Sequence, residues 1–163
     1  IATHPLNRGH KLRSIIRFAK WQVGSRLVPG PIVYEWVNGS KFFVKTGETG
    51  LTGNVYTGLH EFQDMAFLLH FLRGEDLFVD IGANVGSYTI LACSAIGARG
   101  LAIEPIPITY KRLIENIHLN HLDQKVKKYF ALRQTLDFSL ILEHSLRIIL
   151  MLPIQLNQLH MLL

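Results

Sequence analysis

The order of hydrophobic and polar positions predicts an α/β chain organised around one strand, one glycine-rich turn and one helix. Residues 77–79 form a short apolar run without charge, which is typical of a strand buried on both faces of a parallel sheet. Asp80 ends that run, and residues 82–86 then read G-A-N-V-G. From Ser87 onward the apolar positions recur at helical spacing, so the pattern predicts a helix whose first N–H groups are free.

Similar patterns predict further elements on both sides of this stretch. An Asn-Gly pair between two β-rich runs is a strong hairpin signal, and it occurs at residues 38–39. Gly and Thr are frequent in residues 46–58, which we interpret as a loop positioned to fold across a ligand. The other expected elements are helices over residues 8–27 and 61–72, a helix starting near Pro107, and strands over residues 32–37, 40–45, 100–103 and 125–131.

Two acidic residues stand at the ends of predicted parallel strands. Asp80 ends the first, and Glu104 ends the next, where an acid can accept two hydrogen bonds from ribose hydroxyls. Nicotinamide-binding folds share that device, but their turn reads G-x-G-x-x-G, and here Ser87 stands in place of the third glycine. Asp80 also suits an ammonium group better than a pyrophosphate. The two acids therefore predict S-adenosylmethionine, a nucleoside with a cationic amino-acid tail.

These residues resemble a known family. The strings V-D-I-G-A-N-V-G-S-Y-T, A-I-E-P-I-P-I-T-Y and N-I-H-L-N, within residues 58–126, resemble the FkbM family of S-adenosylmethionine-dependent methyltransferases. The resemblance implies an α/β fold, a Rossmann-like class I methyltransferase sandwich with a parallel sheet. The N-terminal helix and β-hairpin are appended to it. Such a fold has more strands than the sequence predicts here, so we expect it to be incomplete.

The resemblance also implies which residues hold the cofactor. Asp80 and the turn would bind its methionine part, and Glu104 its ribose. Glu61 would contact the ligand from the start of its helix, although capping of that helix explains Glu61 about equally well. The expected cofactor-binding residues are Glu61, Asp80, Gly82, Ala83, Asn84, Gly86, Tyr88, Thr89, Glu104 and Pro105. The general base stays unknown, with Tyr56 and His60 as candidates in the predicted loop, and no metal site is expected.

Composition narrows the class of protein further. The 163-residue chain has a formal net charge of +5, and six basic residues crowd its N-terminal helix: Arg8, Lys11, Arg13, Arg17, Lys20 and Arg26. That cluster could steer an anionic substrate or touch a membrane surface, although a solvated basic helix face is the simpler interpretation. The chain has no aromatic-rich basic string of the kind that nucleic-acid-binding modules carry, so we expect no nucleic-acid partner. Cys93, the single cysteine, agrees with a reducing, cytoplasmic location.

The last part of the sequence differs in character. Residues 132–163 contain no glycine, are rich in leucine and show no clear helical or strand period. Charged and polar residues interrupt them, so no stable membrane span is expected. Asp137 is a weak candidate for the acid beside the adenine. We expect this tail not to be the native continuation of the fold, with domain boundaries at residues 1–57, 58–131 and 132–163.

Three hypotheses about function follow. The first is an S-adenosylmethionine-dependent methyltransferase, which by the resemblance methylates a hydroxyl of a small molecule or sugar. The second is a non-catalytic, truncated remnant of such an enzyme. The third is another nucleotide-binding Rossmann-like domain, against which the turn spacing argues.

Overall fold

The computed structural model describes residues 4–45, 49–130 and 148–151, which form a parallel sheet, packed helices and an antiparallel hairpin. The helices are α1 (Lys11–Leu27), α2 (Thr49–Thr57), α3 (Phe62–Phe71), α4 (Ser87–Ile90, continuing as a π-helix over Leu91–Ile96) and α5 (Pro107–Leu119). The strands are β1 (Ile32–Glu35), β2 (Lys41–Val44), β3 (Leu77–Ile81), β4 (Arg99–Ile103), β5 (Val126–Tyr129) and β6 (Ile148–Met151).

The main sheet has the strand order β5-β4-β3-β6, and every pairing in it is parallel. In the register, Val79 of β3 lies between Leu101 of β4 and Leu150 of β6. From β3 the chain runs outward through β4 and β5 on one side, and β6 lies on the other. The strand order therefore reverses beside β3, and open α/β sheets bind ligands in the crevice at that point. The predicted Rossmann-like α/β fold with a parallel sheet is confirmed.

Successive residues of β3 are buried on opposite faces of the sheet, as its uninterrupted apolar run predicts. Phe78 is fully buried and belongs to a large core cluster that also contains Ile90, Leu113 and Ile117. Val79 belongs to a second cluster with residues of β4. Because the strand is held from both faces, its carboxyl end and the turn that follows have a fixed position.

The hairpin is confirmed and is part of the same packed body. Strands β1 and β2 pair antiparallel, and Asn38 and Gly39 between them take φ values of 51° and 76°. Phe42 is fully buried in the large core cluster. The side chain of Asn116 on α5 accepts a hydrogen bond from the Phe43 N–H at 2.8 Å. The predicted boundary after residue 57 stays a prediction, although this cluster draws residues from both sides of it.

The predicted loop over residues 46–58 is wrong for Thr49–Thr57, which form α2. Its Gly and Thr content gives it little intrinsic helix propensity. Tertiary packing compensates, because Leu51, Asn54 and Val55 are almost completely buried. Gly53 is also required for packing, since a Cβ there would lie 2.5 Å from the His60 ring. Such contacts cannot be read from local sequence.

The tail is expected not to be the native continuation of the fold, but residues 148–151 add a strand to the sheet. These four residues form β6 and pair with Leu77, Phe78, Val79 and Asp80 of β3. The sequence I-I-L-M carries no turn or alternation signal, so only its pairing partner identifies it as a strand. The boundary at residue 132 stays a prediction, and Asp137 lies outside the described residues.

Candidate functional site

The glycine-rich turn after β3 is fastened to the end of β4. The Gly82 and Ala83 N–H groups both donate to the Ile103 carbonyl, at 2.8 and 2.9 Å. Asn84 and Gly86 take positive φ values of 52° and 95°. A Cβ at Gly86 would lie 2.8 Å from Leu113 Cδ1, so glycine is needed there for both conformation and space. The turn therefore has a fixed shape at the carboxyl ends of two neighbouring strands.

Asp80 lies at the base of this turn with only 4% of its surface exposed. The Thr89 hydroxyl of α4 donates to Asp80 Oδ2 at 2.5 Å. Burial raises the pKa of the Asp80 carboxyl to about 6, while the hydrogen bonds from Thr89 lower it and the negative charge of Glu104 adds to the rise. A buried acid of this kind is more easily ionised when a cation lies beside it.

Glu104, also 4% exposed, is the partner of three donors. Its Oε2 accepts from the Asn84 N–H at 2.8 Å. Its Oε1 accepts from the Ile106 N–H and from the Thr109 hydroxyl, both at 2.9 Å. A carboxylate has about four acceptor positions, so about one remains, on Oε2. The expected pair of hydrogen bonds to a ribose would have to replace one of these three.

Glu61 and Tyr88 form a second group in which two predicted site residues meet. The Tyr88 hydroxyl donates to Glu61 Oε2 at 2.6 Å. Glu61 is the N-cap residue of α3, but its side chain makes no capping hydrogen bond, so capping does not explain it. Burial, followed by the bond to Glu61, raises the pKa of Tyr88 well above its ordinary value. Tyr88 is therefore a neutral hydrogen-bond donor, not a phenolate.

The two candidates for a general base lie in different surroundings. His60, with Glu61 and Asp64, lines an open cavity of about 400 Å³ that also contacts His4 and Phe62. Tyr56 instead packs under α1. Its hydroxyl accepts a hydrogen bond from Gln22 at 2.9 Å, which gives Tyr56 a structural role.

Most of the predicted residues are thus brought together. Hydrogen bonds connect the turn to the end of β4, Thr89 to Asp80, and Asn84 to Glu104. Pro105 follows Glu104 in the chain and is half-buried. Glu61 and Tyr88 form the neighbouring pair, and the charge of Asp80 contributes to the raised pKa of Tyr88. That these residues hold a cofactor stays a prediction.

Two residues that support the turn were missed by the sequence reasoning. Thr109 holds the Glu104 carboxylate, and Asn116 donates to the Val85 carbonyl of the turn at 2.8 Å. Asn116 is fully buried beside Leu113 and Ile117 on the apolar face of α5. A polar residue within a helix face that is otherwise apolar was the available signal, because buried amides are almost always hydrogen-bonded.

Cys93, in the helix that follows the turn, is buried. A Cβ added at Gly100 would lie 2.5 Å from Cys93 Sγ, so the helix that carries Cys93 packs closely on β4. Burial raises the pKa of the thiol to about 12, and the negative charge of Asp80 adds to the effect. The thiol is therefore protonated and inert at neutral pH.

Comparison with known proteins identifies a partial relative. The chain is 35% identical over 57 residues to a tRNA(Phe) (4-demethylwyosine(37)-C(7)) aminocarboxypropyltransferase of Pyrococcus horikoshii. The match covers 35% of this chain and 20% of that protein, so the chain aligns with only about a fifth of the relative's length. No protein-family model matches the chain, and membership of the FkbM family stays a prediction.

Solved structures show partial likeness as well. P. horikoshii TYW2 in complex with MeSAdo is 25% identical with a TM-score of 0.49, covering 63% of this chain and 36% of the other. An RNA methyltransferase of Salinibacter ruber in complex with S-adenosyl-L-homocysteine is 25% identical with a TM-score of 0.44, covering 56% and 57%. With TM-scores below 0.5, neither likeness assigns a substrate or cofactor to this chain.

The expectation that nucleic acid is excluded as a partner is contradicted by the match to a tRNA-modifying enzyme. That expectation relied on the absence of an aromatic-rich basic string, a feature of one kind of binding surface and not of a modifying enzyme's active site. Among the described residues, no helix is both long and apolar enough to cross a membrane. A cytoplasmic location stays a prediction.

Proposed function

We propose that this chain carries the cofactor site of an S-adenosylmethionine-dependent methyltransferase. The observation that carries the proposal is the placement of two buried acids, Asp80 and Glu104, on either side of a rigid glycine turn. Both stand at the carboxyl ends of adjacent parallel strands beside the point where the strand order reverses, which is where α/β sheets bind nucleotides.

Each acid matches one part of the cofactor. The ammonium group of the amino-acid tail binds near Asp80, where a positive charge offsets the cost of ionising a buried carboxylate. Glu104 accepts from one ribose hydroxyl through the free position on Oε2 and from a second only if an internal bond is exchanged. Glu61, held by Tyr88, adds a further negative charge beside the cationic tail.

The cofactor supplies an electrophilic methyl group, and the protein supplies binding and orientation. Hydrogen bonds to β4 and α5 hold the turn in place, so the turn can position the cofactor. His60, on the wall of the cavity that includes Glu61, is the candidate to receive a proton from an acceptor hydroxyl.

The acceptor has two candidate classes. The FkbM resemblance favours a hydroxyl of a small molecule or sugar. The P. horikoshii relative modifies tRNA, which favours a nucleotide of RNA as a second candidate. A remnant that binds the cofactor without turnover remains a third outcome, because the matched segment is a small part of the relative.

Calorimetric titration tests the cofactor site directly. The parent chain should bind S-adenosylmethionine and should not bind NADH. Asp80→Asn and Glu104→Gln should each weaken binding by about 1.5–3 kcal/mol, or roughly ten- to a hundredfold, because each removes a charged acceptor. Glu115→Gln, which removes a carboxylate at the surface of α5, is the matched control and should bind as the parent does. Equal binding by all four proteins would place the site elsewhere.

Transfer of a labelled methyl group then separates the acceptor classes. One reaction contains a mixture of sugars and small hydroxylated compounds, and the other contains unmodified tRNA. Label in the first product supports the hydroxyl acceptor, and label in the second supports RNA. Binding without label in either pool, and without release of 5′-methylthioadenosine, the coproduct of aminocarboxypropyl transfer, would support the remnant.

A further inference from the structure

The N-terminal helix α1 is fixed to the rest of the chain by one face. Arg17 donates to the Tyr56 carbonyl at 2.5 Å, and Gln22 donates to the Tyr56 hydroxyl at 2.9 Å. The Phe18 and Tyr56 rings meet edge to face with centroids 5.0 Å apart. Trp21 packs on the core cluster from the same face. The rotation of α1 about its own axis is therefore determined.

The opposite face of α1 is apolar and exposed. With 3.6 residues per turn, residues 12, 15, 16, 19, 23 and 27 form one stripe along the helix, which we call the outer stripe. Within it Leu12 is 72% exposed, Val23 60% and Leu27 76%, and Ile15 and Ile16 are about half exposed, at 53% and 46%. Single exposed apolar side chains are ordinary, but a continuous stripe opposite the packed face indicates a binding surface.

Exposed cations border the outer stripe. By the same helical spacing, Lys11 lies on one side, Arg13 and Lys20 lie on the other, and Arg26 lies within the stripe near its end. No acidic residue precedes Glu35 in the chain. Residues 9–13 and Ile16 also line an open cavity of about 420 Å³, in which basic side chains and the stripe meet. The surface is thus apolar in its middle and positively charged at its borders.

We propose that α1 lies in the interface of a membrane that contains anionic phospholipids, with the outer stripe among the acyl chains and the bordering cations at the phosphates. Such interfacial helices combine an apolar face with flanking Lys and Arg. Each Lys or Arg near an anionic surface adds attraction, and the stripe adds hydrophobic burial. The helix would lie on the membrane without crossing it.

Charge complementarity favours lipid over other occupants. A second copy of the chain would bring two positively charged borders together. Residues 131–163 carry two Arg and two acidic residues, so they offer no net negative charge. RNA would pair with the cations but would leave the aliphatic stripe in water. An anionic bilayer complements both features at once.

Vesicle flotation with the full chain tests this proposal. The parent should bind vesicles of phosphatidylcholine mixed with phosphatidylglycerol, and should bind much less to phosphatidylcholine alone. Ile16→Ser and Val23→Ser should each lower the partition coefficient on the order of tenfold, since each removes an apolar side chain from the stripe. Ile108→Ser, at a position 75% exposed on α5, is the matched control and should bind as the parent does.

The charged border is tested separately. Arg13→Gln and Lys20→Gln should each weaken vesicle binding roughly fivefold and reduce its dependence on salt, because each removes one positive charge that is attracted to the phosphates. Lys111→Gln on α5 should change neither. Circular dichroism checks that each variant is folded. If either Ile16→Ser or Val23→Ser is unfolded, the other variant still tests the stripe.

Three results would overturn the proposal. One is the same vesicle binding by Ile16→Ser, Val23→Ser and the parent. Another is sedimentation that shows a dimer for the parent and a monomer only for the stripe variants. The third has two parts. The chain binds tRNA tightly, and Arg13→Gln weakens that binding, while the chain binds anionic vesicles no better than vesicles of phosphatidylcholine alone.

Discussion

Replacing Asp80 by asparagine should stabilise the fold at neutral pH while weakening the cofactor site. Burial raises the pKa of Asp80 from 3.8 to about 6. The pKa of Asp80 therefore differs by about 2 between the folded and the unfolded protein. This difference corresponds to a cost of about 3 kcal/mol for the ionised carboxylate in the folded protein. Between these two pKa values the folded state holds the proton more tightly. The contribution of Asp80 to stability thus falls as the pH rises through this window and is constant above it.

Asparagine is nearly the same size and removes the ionisation. Its amide oxygen can still accept the hydrogen bond that Thr89 donates to Asp80. Urea unfolding curves from about pH 4 to about pH 8 should show the two proteins closest in stability at the acidic end. The variant should gain up to about 3 kcal/mol over the parent at the basic end. Asp64→Asn, at an exposed position on α3, is the control and should show no such gain.

The reasoning would be refuted if Asp80→Asn were less stable than the parent at about pH 8, or if their difference did not change with pH. Either result would mean that the protein stabilises the Asp80 carboxylate internally. The expected result has the opposite meaning. A group that costs stability in the folded protein and is needed for binding is typical of a functional site.

Three further predictions concern the same turn. The affinity for S-adenosylmethionine should be about tenfold weaker at about pH 5 than at about pH 7, because the cation favours ionised Asp80; calorimetry showing no loss would contradict this. Glu104→Gln should lower the free energy of unfolding by about 1–3 kcal/mol in urea, since its amide N–H₂ would face one of the N–H groups that now donate to Glu104. Gly86→Ala should destabilise by more than about 1 kcal/mol, whereas Gly24→Ala in α1, with open space around it, should stabilise by about 0.5–1 kcal/mol, as compared by thermal melting.

The strand, turn and helix around Asp80 could be predicted because each is coded locally. An uncharged apolar run determines a strand buried on both faces, and the glycines that follow allow a turn with positive φ. The next apolar run likewise ends at an acidic residue, Glu104. Adjacent parallel strands have their carboxyl ends at the same edge of a sheet. Two acids distant in sequence could thus be placed at one site.

The parts that could not be predicted depend on contacts between distant residues. Helix α2 is stabilised by burial of Leu51 and Val55 and not by its own propensity. Two of the three internal hydrogen bonds of Glu104, those from Ile106 and Thr109, depend on how α5 begins. The positions of Pro105 and Pro107 indicate that start only in outline. Helix α1 was predicted from its sequence, but the direction in which its apolar stripe points follows from contacts with Tyr56.

Strand β6 decides whether the leucine-rich tail matters to the fold. It pairs with β3 along four residues, on the side where the strand order reverses, so it covers the edge of the strand that carries Asp80. A chain ending at residue 131 would leave that edge unpaired, whereas a chain ending at residue 151 would keep it covered. Each backbone hydrogen bond contributes about 0.5–1.5 kcal/mol, so the shorter chain should be less stable by about 2 kcal/mol or more.

An unpaired edge also favours aggregation, so the shorter chain should associate at concentrations at which the longer one stays dispersed. Urea unfolding and light scattering of the two truncated chains, beside the full chain, measure both effects. Equal stability and equal scattering would mean that β6 adds nothing, and the tail would then be foreign to this fold. A loss confined to the shorter chain would make residues 148–151 part of the sheet on which the cofactor site is built.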